Sequence, residues 1–331
     1  MSTSRVNVLN IGLMLASAGL AFALPFELFL FSYAVLGPLH YLTQISWLHD
    51  RKYFVAVKRD ALPLFLLCVL VLLAAGVFKS FQVPGLRAIA PELSFLAFAG
   101  ALLLVLTTGT VQRLGGAVLL VMIAALLHNL FPSASSGYAT FFLVYLTTIV
   151  HVFLFTGAFI LLGSLRHRGA SGYASFGVFL ACAAACFLLP AKAGYVVGPA
   201  ATEAYRASIL QLHLELLRDL GLGPVSEVYS DRTSIAVGRF IAYAYTYHYL
   251  NWFSKTSIIR WHEVPRIRFV FVGIVWAISL ALYASSYVRG LQWLFFLSLL
   301  HVFLEFPLNH RSFMDIGREV RKRVRGAAVP G

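Results

Sequence analysis

Residues 26–47 read FELFLFSYAVLGPLHYLTQISW, a stretch with one carboxylate, Glu27, at its start and with no lysine or arginine. A helix rises about 1.5 Å per residue, so about 20 apolar residues cross the hydrocarbon core of a bilayer. The stretch therefore predicts a membrane-spanning helix. It also carries His40, and an ionisable side chain inside a membrane is costly enough to mark a functional site.

Similar apolar runs fill most of the chain. The ten predicted spans are 6–24, 26–47, 61–80, 92–110, 114–131, 138–165, 171–191, 233–254, 269–288 and 291–308. Hydrophobic residues make up 60% of the 331 residues and charged residues only 12%, whereas about a quarter of a soluble domain is charged. The composition excludes soluble and disordered classes. It predicts an all-α, polytopic helical bundle of about ten transmembrane helices, forming a single transmembrane domain over 1–331.

The net charge of +13 is better explained by membrane orientation than by nucleic-acid binding. With a cytoplasmic N-terminus, more than two thirds of the 26 lysines and arginines fall on cytoplasmic segments, as the positive-inside rule requires. We therefore expect an integral protein of the bacterial inner membrane with both termini cytoplasmic. The basic tail 311–331 would contact anionic lipid head groups.

One long segment, 192–232, breaks the pattern of short loops on the non-cytoplasmic side. Between Glu203 and Leu220, leucines alternate with charged residues at helical spacing, which predicts an amphipathic helix lying in the interface. Gly221 and Gly223 would end this helix. Such a helix acts either as a surface clip or as a lid over a lipid-side entrance.

Four histidines lie in separate predicted spans: His40, His151, His248 and His301. Three of them, all except His151, lie about six or seven residues from the inner ends of their spans, roughly 10 Å inside the cytoplasmic boundary. His151 lies deeper. Neutral imidazoles that converge from separate helices suit iron, copper or zinc. The alternative is that each histidine hydrogen-bonds a neighbouring helix.

Further polar residues accompany these histidines and could orient them or add ligands. Those one helical turn away are Glu305, Gln44 and Asn251. A second tier nearer the cytoplasm, either a second metal position or plain interfacial histidines, comprises His49, His262 and His310. The three cysteines fall in apolar runs without metal-type spacing, which indicates small buried hydrophobes.

The aromatic stretch around His248 offers walls for an apolar substrate. Tyr245 and Trp252 stand three residues before and four residues after His248, and this spacing places all three on one face of a helix. We therefore expect Tyr245 and Trp252 to bind substrate by stacking.

The sequence around the four histidines resembles the Brp/Blh family of bacterial beta-carotene dioxygenases, over about residues 33–310. The contexts are Gly37-Pro38-Leu39-His40, Ile149-Val150-His151, Tyr247-His248-Tyr249 and Leu299-Leu300-His301. That family is similar in being polytopic and in having four intramembrane histidines thought to hold one non-haem iron. The resemblance implies that His40, His151, His248 and His301 are the iron ligands, with Fe(II) as the cofactor.

The chain departs from that family at three places. Gln44 stands where the family has an aspartate, Phe155 lies in a region where the family has an acid, and Trp252 replaces a second histidine. The family also usually has fewer than ten spans. These departures favour the oxygenase class over the carotenoid substrate in particular. The clustered histidine boxes of membrane desaturases and hydroxylases are absent from the sequence.

The leading hypothesis is therefore an oxidoreductase: a non-haem iron oxygenase acting on an apolar, lipid-like substrate and O2, with a carotenoid or other isoprenoid as one candidate. A dioxygenase needs no reductase, whereas a monooxygenase would need an electron-donor protein. One alternative is a b-type cytochrome with haem between two histidines. Another is a transporter or lipid-binding membrane protein without catalysis.

Overall fold

The computed structural model of the chain describes residues 2–76, 84–131, 137–191, 194–223, 225 and 227–327. Within these ranges the regular structure is helical and contains no strand, which confirms the all-α prediction. In chain order the helices are α1 (Thr3–Ala23), α2 (Glu27–Asp50), α3 (Ala61–Ala74), α4 (Pro84–Ala88), α5 (Ala90–Leu106), α6 (Thr110–Leu130), α7 (Gly137–Thr140), α8 (Thr156–His167), α9 (Ala170–Leu188), α10 (Pro199–Ser208), α11 (Leu210–Asp219), α12 (Arg232–Ser254), α13 (Thr256–Ile259), α14 (Arg266–Ser285) and α15 (Tyr287–Ala327).

Seven helices in the described part of the chain are long and apolar enough to cross a membrane. They are α1, α2, α6, the continuous helical stretch Val150–His167, α9, α14 and α15. The other three predicted spans correspond to α3, α5 and α12. Helices α3 and α5 have only 14 and 17 residues, and the predicted end of the α3 span lies outside the described residues. Helix α12 is long enough but contains Arg239 and several tyrosines.

Contacts group the chain into two compact units. The first unit comprises Met1–Leu42, Val152–Leu294 and Arg318–Gly331. Helix α12 is its core: it packs on α1, α9 and α11, and every residue from Ser234 to Tyr249 is buried. Polar side chains on α12 have partners inside the unit. The Tyr243 hydroxyl donates to the Phe179 carbonyl and the Tyr247 hydroxyl donates to Asn10 Oδ1, each over 3.0 Å.

The second unit comprises Thr43–His151 and Phe295–Gly317. Helix α5 packs on α3 and on α6. Helix α6 is peripheral and exposes most of its apolar side chains, as expected of a helix that faces lipid. The basic C-terminal region is helical through Ala327, because α15 continues without interruption for 41 residues.

The predicted amphipathic helix over Glu203–Leu220 is two helices, α10 and α11, which meet at Ile209. Gly221 and Gly223 have φ of +66° and +76°, a left-handed conformation that glycine adopts without a Cβ clash, and α11 ends just before them as predicted. One face of α11 packs inside the unit, because His213 is completely buried.

His213 is held by a chain of directed hydrogen bonds. The Ser234 hydroxyl donates to the Val228 carbonyl, so Ser234 Oγ accepts from His213 Nε2 over 2.8 Å. Nδ1 is then left to accept from the Tyr205 hydroxyl over 2.9 Å. This network requires neutral imidazole, and burial lowers the pKa of His213 to about 4.

Acid should therefore loosen the contact of α10 and α11 with α12. A histidine with a lowered pKa binds its proton more weakly in the folded state, so its stabilisation is complete above about pH 6.5 and is lost as the pH falls toward about 4. The loss should not exceed about 3 kcal/mol, since one pKa unit corresponds to about 1.4 kcal/mol. The measurement is thermal unfolding of the detergent-solubilised protein from pH 7.5 to 4.5, with hydrogen exchange over 199–219.

The variant His213→Gln keeps polar groups at this position but does not titrate, so it should show a shallower pH dependence than the wild type. His167→Gln, which changes an exposed histidine, should keep the wild-type dependence. An identical pH dependence in wild type and His213→Gln would remove His213 as the cause.

Candidate metal centre

The first histidine pair joins α2 and α12. His40 Nε2 and His248 Nε2 lie 3.1 Å apart, and both side chains are buried. The other ring nitrogen of His248, Nδ1, is 2.8 Å from the hydroxyl of Thr156 at the start of α8. This contact fixes the direction in which the His248 ring points.

Local packing brings α2 and α12 close together at this level. The hydroxyls of Ser32 and Thr246 are hydrogen-bonded over 2.7 Å two turns before His40. Gly37, one turn before His40, lies so near α12 that a Cβ at this position would come 3.4 Å from the Tyr249 hydroxyl. An alanine Cβ at 37 would thus be in van der Waals contact with the helix that carries His248.

The second pair joins α15 to the helical segment before α8. His301 Nε2 and His151 Nε2 lie 3.2 Å apart, and both rings are buried. His151 belongs to a π-helical segment, Val150–Phe155. Such single wide turns inside helices are rare and occur frequently at functional sites.

The distance within each pair fits two ligands on the same side of a metal ion. With a metal–nitrogen bond of about 2.1 Å, separations of 3.1 and 3.2 Å correspond to angles of roughly 95–100° at the metal. These values lie between the octahedral and tetrahedral angles. All four histidines together form a buried group that could hold a metal ion, since each offers one ring nitrogen and these atoms lie within 4.8 Å of one another.

A buried carboxylate stands beside the second pair. Glu305 Oε2 lies 3.4 Å from His151 Nδ1, and the Gln44 side chain hydrogen-bonds Glu305. The sequence placed Glu305 one turn after His301, whereas the structure pairs it with His151. A carboxylate behind a ligating histidine orients the ring and raises its basicity as a ligand.

The remaining predicted ligands or supporting residues lie elsewhere. Asn251 Oδ1 lies 3.4 Å from the Tyr247 hydroxyl, which donates to Asn10. His49 contacts the Tyr53 hydroxyl, and His262 lies against Trp261. His310 Nε2 donates to the Phe98 carbonyl over 2.8 Å. Within the described residues, none of the second-tier histidines belongs to the metal-competent group.

Aromatic rings surround the first pair. Trp252, predicted to bind substrate, meets the His40 ring edge to face with centroids 5.5 Å apart. Tyr245 instead packs against Phe29, with centroids 4.9 Å apart. Sequence spacing missed Tyr249, which contacts both His40 and His248.

Thr156 was also missed from the sequence. It lies five residues after His151, a spacing that regular α-helical periodicity does not align, but the hydrogen bonds of a π-helix span five residues. In the sequence, the only feature that could have indicated Thr156 was its hydroxyl five residues after an intramembrane histidine. The cysteines are free and buried, as predicted.

No protein-family model, curated protein or solved structure matches the chain. The conclusions about the site therefore depend on its own geometry.

If Glu305 supports His151 as a ligand, removing its charge should weaken metal binding. We expect Glu305→Gln to lower metal affinity by about 10- to 100-fold, the usual effect of such partners. Affinity would be measured by competition with a chelator of known strength. Because the readout is affinity, it separates support of a ligand from a merely structural role.

Glu92→Gln is the matched control. Glu92 is also buried and lies 3.3 Å from a histidine, His128, but that pair is not part of the metal-competent group. The Glu92→Gln variant should bind metal with the same affinity as the wild type. Equal losses in both variants would point to general destabilisation and count against a role for Glu305 at the metal.

Proposed function

We propose that this chain is a membrane-embedded, non-haem iron oxygenase acting on an apolar, lipid-borne substrate. The observation that carries the proposal is the group of four buried histidines, whose ring nitrogens lie within 4.8 Å of one another. A hydrogen bond between two imidazoles explains either pair alone. It does not explain why four costly polar side chains converge in an apolar protein.

The donor set favours a transition metal with redox chemistry. Neutral imidazole suits iron, copper and zinc, and the group contains no cysteine. Four neutral ligands leave the charge of a divalent ion uncompensated, and buried charge needs a partner. Glu305 supplies a carboxylate next to His151, which makes a cation at this position less costly. Iron bound there would supply the chemistry that activates O2.

The protein residues would bind the ion, exclude water and hold the substrate. Rings of Tyr249 and Trp252 lie beside His40, and stacking on such rings suits a flat, conjugated chain. In a dioxygenase reaction one carbon–carbon double bond and one O2 become two carbonyl groups. This balance requires no outside electron donor, whereas a monooxygenase would draw two electrons from a partner protein.

A haem-binding role fits the geometry less well. Two histidines that ligate haem axially lie on opposite faces of the porphyrin, with the macrocycle between them. Nitrogens 3.1 and 3.2 Å apart leave no space for a macrocycle within either pair. We therefore favour a non-haem ion. As the sequence predicts, the protein would lie in the bacterial inner membrane with both termini cytoplasmic.

Metal analysis of the purified protein tests the proposal directly. We expect about one iron per chain, no Soret absorption, and a fall in iron to background in His248→Ala and in His301→Ala. His310→Ala should keep its iron, because that buried histidine donates to the Phe98 carbonyl instead. Unchanged iron in both ligand variants would refute the site, and a Soret band would support the haem alternative.

The substrate is tested in a cell that makes beta-carotene. If the family resemblance extends to the substrate, expression should bleach the colour and form retinal, and His248→Ala should do neither. His310→Ala serves as the active control. Retained colour with an iron-loaded protein would exclude this carotenoid without affecting the metal site.

A further inference from the structure

A groove in the second unit lies between α3, α5 and α6. Its volume is about 690 Å³, within the range of about 300–1,000 Å³ that is typical of ligand sites. Its walls are apolar for most of their length, with Leu67, Leu96, Leu103, Leu120 and Val121 among the lining side chains. Because α6 is peripheral and exposes its apolar face, the groove opens toward the lipid.

The charged residues of the groove are gathered at one end. Arg113 forms an ion pair with Asp60 over 2.8 Å and donates to the Thr107 carbonyl over 2.8 Å. Arg59, by contrast, donates to the Thr110 hydroxyl over 3.2 Å. Among the described residues no carboxylate pairs with Arg59. The mouth of the groove therefore carries a net positive charge.

The start of α6 adds to this positive potential. Helix α6 begins at Thr110, its N-cap is Gly109, and no side chain caps it. Its first turn contains no acidic residue. The first backbone N–H groups of a helix lack partners within the helix, and the helix dipole is positive at this end.

We propose that the groove binds an anionic membrane lipid, with its phosphate at Arg59 and the start of α6 and one acyl chain along the leucine walls. The polar and apolar parts of the groove are arranged as in an amphiphile, because a cationic mouth leads directly into an apolar channel. Basic pockets between transmembrane helices bind anionic lipid head groups in this way. None of the four histidines lines the groove, so lipid binding should not depend on metal.

The test uses the delipidated full chain in detergent and native mass spectrometry. The protein is incubated with phosphatidylglycerol or with phosphatidylcholine of the same acyl chains. We expect preferential retention of phosphatidylglycerol and about a fivefold loss of affinity in Arg59→Gln, the effect of one basic residue near an anionic surface. Lys58→Gln removes a neighbouring charge that does not line the groove, so its affinity should be unchanged.

A second pair of variants tests the acyl channel. Ala117 lines the groove on α6, whereas the next residue, Val118, is exposed and does not. Ala117→Phe should reduce lipid retention, and Val118→Phe should not. Glycerol 3-phosphate, which has the phosphate but no acyl chain, should not displace the lipid.

Several results would overturn the proposal. Equal retention of the two lipids, or wild-type affinity in Arg59→Gln, would remove the phosphate contact. Equal losses in Arg59→Gln and Lys58→Gln would indicate diffuse surface charge. Displacement by glycerol 3-phosphate would indicate a free-anion site, and wild-type retention in Ala117→Phe would exclude the acyl channel. None of these readouts involves iron, so their outcome does not depend on whether the protein is an oxygenase.

Discussion

The cost of placing polar groups in an apolar interior is the constraint on which this structure depends. An unpartnered amide, hydroxyl or imidazole in such surroundings costs several kcal/mol. The middle of helix α12 meets this constraint, because Thr246, Tyr243 and Tyr247 each find a hydrogen-bonding partner on a neighbouring helix. His40 and His248 are brought together in the same packed region.

The same constraint explains how charged side chains are tolerated elsewhere. Asp60 and Arg113 neutralise each other at 2.8 Å. Arg239, on the buried helix α12, donates to the carbonyls of Leu189 and Pro190 and lies 4.3 Å over the ring of Phe22. These solutions differ in chemistry, but each keeps a polar group from remaining buried without a partner. The four histidines differ because together they form a buried group that could hold a metal ion.

Sequence reasoning reached the helical class and the four histidines because both depend on local composition. It could not find how the histidines pair, since pairing depends on helix packing. Glu305 illustrates the limit: α-helical spacing assigned it to His301, but its carboxylate faces His151. Asn251 has the spacing expected of a partner of His248, but the contact of its side chain with the Tyr247 hydroxyl could not be read from that spacing. Thr156 could not be found from α-helical periodicity, because the π-helical segment before it shifts the register of the side chains.

The unbroken course of α15 bears on how this sequence can vary. Arg323 lies 18 residues after Glu305 in the same helix, a spacing of about five full turns, with Pro307 between them. Arg323 donates to the Leu165 carbonyl over 2.6 Å at the far end. Losing one residue between them would rotate one end by about 100° relative to the other. Divergent sequences should therefore conserve the length of 306–322, together with its buried residues Phe306, Asn309, His310 and Ser312.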